Sequence, residues 1–137
     1  MFKWKPEFSV NVEEIDKQHK RLFELGGRIY DIASLKDSFD HYDEIMEVLD
    51  ELRSYTDYHF KYEEKLMTRY NFEGYEEHSF EHLFFMKKLD RIEKKDIDSA
   101  QDETALDLVK FVANWIEDHI LKSDMKYKDF FNSKGIR

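Results

Sequence analysis

The chain has 137 residues, of which 41% are hydrophobic, 16% aromatic and 39% charged, and it holds no cysteine. That is enough for one domain with a real core, and the composition excludes disorder, disulfides and thiolate metal sites. A balance of 22 basic against 31 acidic residues, net −9, disfavours the polyanions, nucleic acid and anionic membranes, as partners.

A single Pro and four Gly leave long helices uninterrupted. The first eight residues carry neither the apolar core nor the small-residue cleavage site of a secretory signal. No apolar run nears the ~18 residues of a membrane span, so a cytoplasmic protein is expected. Phe2, Trp4, Phe8 and Val10, grouped around Pro6, read as an aromatic arm packed over a core edge.

Four helices are predicted, over about 12–35, 41–70, 75–95 and 100–121, followed by a short amphipathic segment. Asn11-Val12-Glu13-Glu14 reads as a capping box opening the first. Its inward stripe is Ile15, His19, Leu22, Gly26, Ile29 and Ala33, with Gly26 allowing a neighbouring helix close. After a turn with Ser38 or Asp40 as cap, the second helix presents Ile45, Leu49, Leu52, Thr56, His59, Glu63, Leu66 and Tyr70. Glu64, one position off that stripe, is expected to face solvent. The third helix follows the Asn71–Gly74 turn, with Tyr75, His78, His82, Phe85, Leu89 and Ile92 inward. Ser99 is a candidate cap for the fourth, whose stripe is Ala105, Leu108, Val112, Trp115 and His119.

His59 and Glu63, and likewise His78 and His82, stand four residues apart and so share a helix face one turn apart, as chelating pairs do. A lone His in such a stripe is more often a core histidine bonded to a carbonyl. A lone buried Glu is expensive without a partner. Asp124 follows His119 by five residues, which on a regular helix turns it roughly 140° past a full circle. The helix must widen or end there for both to reach one site.

Short loops between four helices imply an all-α, up-down-up-down antiparallel bundle. In that topology the starts of the first and third helices lie beside the ends of the second and fourth. His19, His59, Glu63, His78, His82, His119 and Asp124 then gather at one end, facing inward. His41, roughly 27 Å from His59 at helical rise, is left out. Five imidazoles and two carboxylates exceed what one metal uses. Two octahedral metals bridged by Glu63, Asp124 and a solvent group fill about eleven of about twelve positions and leave one open. Iron suits such ligands, as do zinc, copper and manganese.

Ser9-Val-Asn-Val-Glu-Glu-Ile-Asp-Lys-Gln-His19-Lys, His59-Phe-Lys-Tyr-Glu63-Glu, His78-Ser-Phe-Glu-His82 and Trp115-Ile-Glu-Asp-His119-Ile-Leu-Lys-Ser-Asp124 together resemble the hemerythrin family, in its bacterial single-domain form. The resemblance spans nearly the whole chain. It implies two iron ions, one on His78, His82 and His119, the other on His19 and His59 with a vacant position. Glu63, Asp124 and an oxo or hydroxo group would bridge them. Dioxygen would bind reversibly at the vacant position, under an apolar pocket of Leu22, Phe60, Trp115, Ile116 and Ile120. Tyr127 would support Asp124 by hydrogen bonding.

The expected function is oxygen storage, delivery or scavenging by a monomer that is not an enzyme, with an electron donor as a possible partner. The alternatives are a di-iron oxidase or peroxidase, a sensor of oxygen or nitric oxide acting through a separate partner, and a metal-free interaction bundle.

Overall fold

A computed structural model of the chain describes residues 3–35, 41–91 and 102–137. Its elements are α1 (Glu13–Ala33), α2 (Tyr42–Arg69), α3 (Tyr75–Arg91) and α4 (Asp102–His119). A five-residue π-helical turn, Ile120–Asp124, leads directly into α5 (Met125–Ser133). No strand occurs among the described residues. Helix α1 packs on α2 and α4, and α2 packs on α3. Stacking of Phe85 on Trp115, with ring centroids 4.1 Å apart, joins α3 to α4 and closes the ring of four helices.

The predicted stripes face inward. Ile15, Leu22, Ile29, Leu49, Leu52, Phe85 and Leu89 are all buried, as are the polar stripe members Thr56, His59 and Glu63. Towards the end of α2 the inward position passes from Leu66 to the fully buried Met67. Phe2, Ile92, the candidate caps Ser38, Asp40 and Ser99, and the side chains of Ala105 and Leu108 lie outside the described residues.

Two apolar clusters bracket the inward polar residues. The larger contains Leu22, Leu52, Phe60, Phe85, Ile116 and Ile120. The smaller contains Val10, Val12, Ile15, Met67, Tyr127 and Phe131. His19 lies in α1 between Ile15 of one and Leu22 of the other, and His59 and Glu63 lie in α2 around Phe60 and before Met67. The site is therefore a polar layer between two dry ones.

Local signals set the register of these layers. Helix α2 ends on Tyr70, with Asn71 left-handed at φ 57°. The Phe72 amide then bonds back to the Met67 carbonyl at 2.9 Å and the Asn71 amide to that of Thr68 at 3.3 Å. This is the paired closure of a helix C-terminus, with Asn where Gly is commoner. A Cβ on Gly74 would lie 2.7 Å from the Phe72 ring, so any larger residue would push the ring from its place over the turn. That turn sets His78 and His82 against His59 and Glu63.

The start of α1 differs from the predicted capping box. Its first turn is preceded by Val12, and no side chain caps it. Asn11 is left-handed, φ 55°. Its side-chain amide donates to Asn132 Oδ1 at 2.9 Å, and its carbonyl accepts from Asn132 Nδ2 at 3.0 Å. Asp16 does the holding instead: its carboxylate accepts the Val10 amide at 2.9 Å and the Ser9 hydroxyl. The arm preceding α1 is thereby tied down, with Phe8 stacked on Phe23 at 5.3 Å and Trp4 half-buried beneath Lys20.

Leu52 has no exposed surface and lies in the larger cluster. Leu52→Ala is expected to cost about 2–5 kcal/mol, measured as a lower urea midpoint at unchanged slope.

Candidate metal centre

The seven predicted ligands converge. His19, His59, Glu63, His78, His82, His119 and Asp124 are each no more than 6% exposed. Their ligand atoms fall into two groups, each with all atoms within 4.8 Å of one another. One group is Glu63, His78, His82, His119 and Asp124; the other is His19, His59, Glu63 and Asp124. Glu63 and Asp124 belong to both. His41 stands apart at the start of α2, with its Nδ1 3.1 Å from Glu44.

Asp124 reaches the site because the chain widens. The π-helical turn Ile120–Asp124 follows His119 directly, and its extra residue per turn puts residues five apart on one face. His19 Nε2 lies 3.0 Å from Asp124 Oδ2, while His78 Nε2 and His119 Nε2 lie 2.8 Å and 3.2 Å from Oδ1. On the opposite side, His59 Nε2 is 2.8 Å and His82 Nε2 3.7 Å from Glu63 Oε1.

Short distances of this kind would ordinarily mean hydrogen bonds. Yet His19 Nε2, His78 Nε2, Glu63 Oε1 and both carboxylate oxygens of Asp124 are buried with no hydrogen-bond partner among the described residues. The atoms are close but do not point at one another. Lone pairs that crowd together without pairing suit a cation shared among them, since buried polar groups otherwise need partners.

The pair His82 and His119 makes the same demand. Their Nε2 atoms face each other at 3.0 Å. His82 Nδ1 lies 2.8 Å from Glu64 and His119 Nδ1 lies 3.1 Å from Glu81. With both Nδ1–H groups given to carboxylates, both Nε2 atoms carry lone pairs. Two lone pairs at that distance need a cation between them, a proton or a metal ion. The residues therefore fit a metal centre of imidazole and carboxylate ligands.

The charges respond accordingly. Burial and Asp124 push the Glu63 carboxyl up, but His59 and His82 outweigh them and bring it to about 2. Burial likewise opposes ionisation of Asp124, and the charge of His119 overcomes it, holding the carboxyl well below its usual range. Burial disfavours a charged His119, yet Asp124 and Glu81 raise it to about 10. Burial lowers His82, against the pull of Glu64. Glu81 falls to about 2, chiefly through the hydrogen bond from His119.

Tyr127 is fully buried, and its hydroxyl donates to Glu63 Oε2 rather than to Asp124 as the sequence suggested. Tyr127 lies on α5, three residues past Asp124 and in the next turn. From there the phenol crosses to the α2 carboxylate. Burial, with Asp124 and Glu63 nearby, raises its pKa well above the phenol range and keeps it a donor.

Leu22, Phe60, Ile116 and Ile120 are buried and Trp115 is half-buried. Phe60 stacks flat on His82, centroids 3.7 Å apart, and Trp115 on His119 at 4.6 Å. These two rings thus brace the half built from His78, His82 and His119.

Four polar residues outside the predicted set complete the surroundings. Gln18 Oε1 accepts from His59 Nδ1 at 2.6 Å. Glu64, expected in solvent, is instead on His82. Glu81 holds both His119 and the Ser123 hydroxyl. Each of the four is adjacent in sequence to a ligand: Gln18 to His19, Glu64 to Glu63, Glu81 to His82, Ser123 to Asp124. A residue one step off an inward stripe turns about 100° toward a neighbouring helix, and that adjacency was the available signal.

A helical bundle with buried imidazoles and carboxylates converging in this way is a cation-binding protein of the four-helix class. A model of the hemerythrin HHE cation binding domain matches residues 10–131. The chain is 36% identical over 129 residues to a Bacteriohemerythrin of Clostridium acetobutylicum, covering 94% of this chain and 100% of that one. It is 31% identical over 121 residues to a Bacteriohemerythrin of Methylococcus capsulatus, covering 88% of each. A crystal structure of wild-type hemerythrin superposes with a TM-score of 0.81 at 30% identity, over 94% of this chain and 96% of that one. The chain belongs to the hemerythrin family.

Two outcomes follow from the local chemistry. Tyr127→Phe leaves a buried carboxylate oxygen without its donor and is expected to cost about 1–3 kcal/mol, read from urea unfolding. Metal ligation requires a free lone pair on His119 Nε2, but pH 7 lies below the group's value of about 10, so without metal the ring carries a second proton there. Metal uptake in weak buffer should release that proton, and affinity should fall by about tenfold per pH unit of acidification. Uptake with no proton release would contradict this.

Proposed function

We propose that this chain binds dioxygen reversibly at a pair of iron ions, for storage, delivery or scavenging. His78, His82 and His119 would hold one ion, His19 and His59 the other. Glu63, Asp124 and an oxo or hydroxo group would bridge them. The observation that carries the reading is the sharing of Glu63 and Asp124 between a three-histidine and a two-histidine group of buried atoms. When bound, the iron pair supplies the electrons that dioxygen takes up on binding and gives back on release.

The protein's own residues do the rest. Glu63 and Asp124 are held ionised, so they offer charge to both halves without having to lose a proton. Tyr127 fixes Glu63 in place through its donated hydrogen bond. Leu22, Phe60, Trp115, Ile116 and Ile120 would line the oxygen pocket. Their side chains would keep water and its protons out of the site, which suits a reversible cycle.

That lining also favours a carrier over an oxidase or peroxidase. None of the five side chains carries an ionisable group with which to act as a general acid. Among the described residues no helix is long and apolar enough to cross a membrane. A separate electron donor would restore reduced iron after any oxidation.

The test is anaerobic reduction of the iron-loaded protein, admission of oxygen while the visible spectrum is recorded, and removal of the oxygen. A coloured band that appears and fades over repeated cycles is expected. A single irreversible change, or steady oxygen consumption, would overturn carriage. Ile116→Ser should admit water and shorten the life of the oxygenated form several-fold, followed as decay of that band.

A further inference from the structure

The outer partners of the histidines are handed around the bundle. Gln18 on α1 serves His59 on α2, Glu64 on α2 serves His82 on α3, and Glu81 on α3 serves His119 on α4. The serving residue sits just before a ligand on α1, just after one on α2, and just before one on α3. Neighbouring helices run antiparallel, so the sense of rotation along the chain reverses, and the alternation keeps each server facing the next helix.

The fourth step of this ring is broken. By the same alternation the fourth server would be the residue just after His119, at the start of the π-helical turn that follows α4, facing α1 and His19. That residue is Ile120, which is apolar and 1% exposed. His19 Nδ1 accordingly has no hydrogen-bond partner among the described residues.

The support is therefore graded. His82 and His119 rest on carboxylates and His59 on a neutral amide; His78 stands outside this ring, and His19 Nδ1 has no partner among the described residues. An anionic partner on Nδ1 fixes the tautomer that aims Nε2 at the metal and makes that nitrogen a better donor. The better-supported half also has three imidazoles against two.

Building on the two-metal reading above, we propose that Glu64 and Glu81 are positioning residues that make the two halves unequal. The half of His78, His82 and His119 fills first and tightly. The half of His19 and His59 fills last and releases its ion first. Loss of one ion would thus leave a protein still carrying metal at the His119 side.

Cobalt(II), titrated into the full chain after chelator stripping and followed by visible absorption against a competing chelator, tests this. Two equivalents are expected, in two steps separated by at least about tenfold in affinity. Glu81→Gln and Glu64→Gln keep an oxygen at the same place but remove its charge, at side chains only 35% and 27% exposed. Each should weaken the first step by about tenfold or more and leave the second within about threefold. Circular dichroism would establish that each variant keeps its helices. Two equivalents bound with one affinity, or equal weakening of both steps, would overturn the proposal and leave the two-metal reading intact. Uptake of a single equivalent would overturn the two-metal reading itself. Failure of reversible oxygen binding alongside two resolved cobalt steps would remove only the proposed function.

Discussion

Two buried carboxylates in an apolar core are the constraint on which the rest of this structure depends. Glu63 and Asp124 are fully buried, their pKa values are held low, and no Lys or Arg lies against them among the described residues. Charge in such a place is costly unless it is matched. Here it is matched by imidazoles, which are cations only when protonated and ligands only when they are not. The site can therefore be neutralised by protons or by metal ions, and the same atoms serve either way. Asp124 and Glu81, which raise His119 to about 10, favour the first solution, and the unpaired lone pairs of His19, His78, Glu63 and Asp124 suit the second.

The fold supplies this site through layering. Antiparallel helices bring the starts of α1 and α3 to the ends of α2 and α4, so one polar layer collects ligands from all four. Apolar layers above and below give the polar layer its low dielectric. The π-helical turn adds the residue that lets His119 and Asp124 face the same way, and the turn at Asn71–Gly74 sets the two chelating pairs opposite each other. Glu81, bonded to both His119 and Ser123, ties α3 to that turn. Small features at the helix ends thus decide the geometry of the centre.

The inward stripes and the convergence of the seven candidate ligands were legible in the sequence because they obey helical periodicity, and a seam residue has only one direction to face. The five-residue step from His119 to Asp124 was legible too, since no regular helix could satisfy it. The start of α1 was misread. Asn11-Val12-Glu13-Glu14 fits a capping box, but Asn11 is engaged by Asn132, more than a hundred residues away. Tyr127 was placed near the correct site and on the wrong carboxylate, because spacing along one helix does not say which partner lies across the bundle. Gln18, Glu64 and Glu81 were missed as supports for a related reason. Each lies one step off its stripe, where sequence alone cannot separate a solvated face from a contact with the next helix.

The centre itself is tested most directly by anomalous diffraction at the iron edge from crystals of the iron-loaded protein. The account predicts two peaks in the polar layer, one beside the Nε2 atoms of His78, His82 and His119, the other beside those of His19 and His59, with Glu63 and Asp124 reaching both. A single peak, or two peaks of which either carboxylate touches only one, would contradict it.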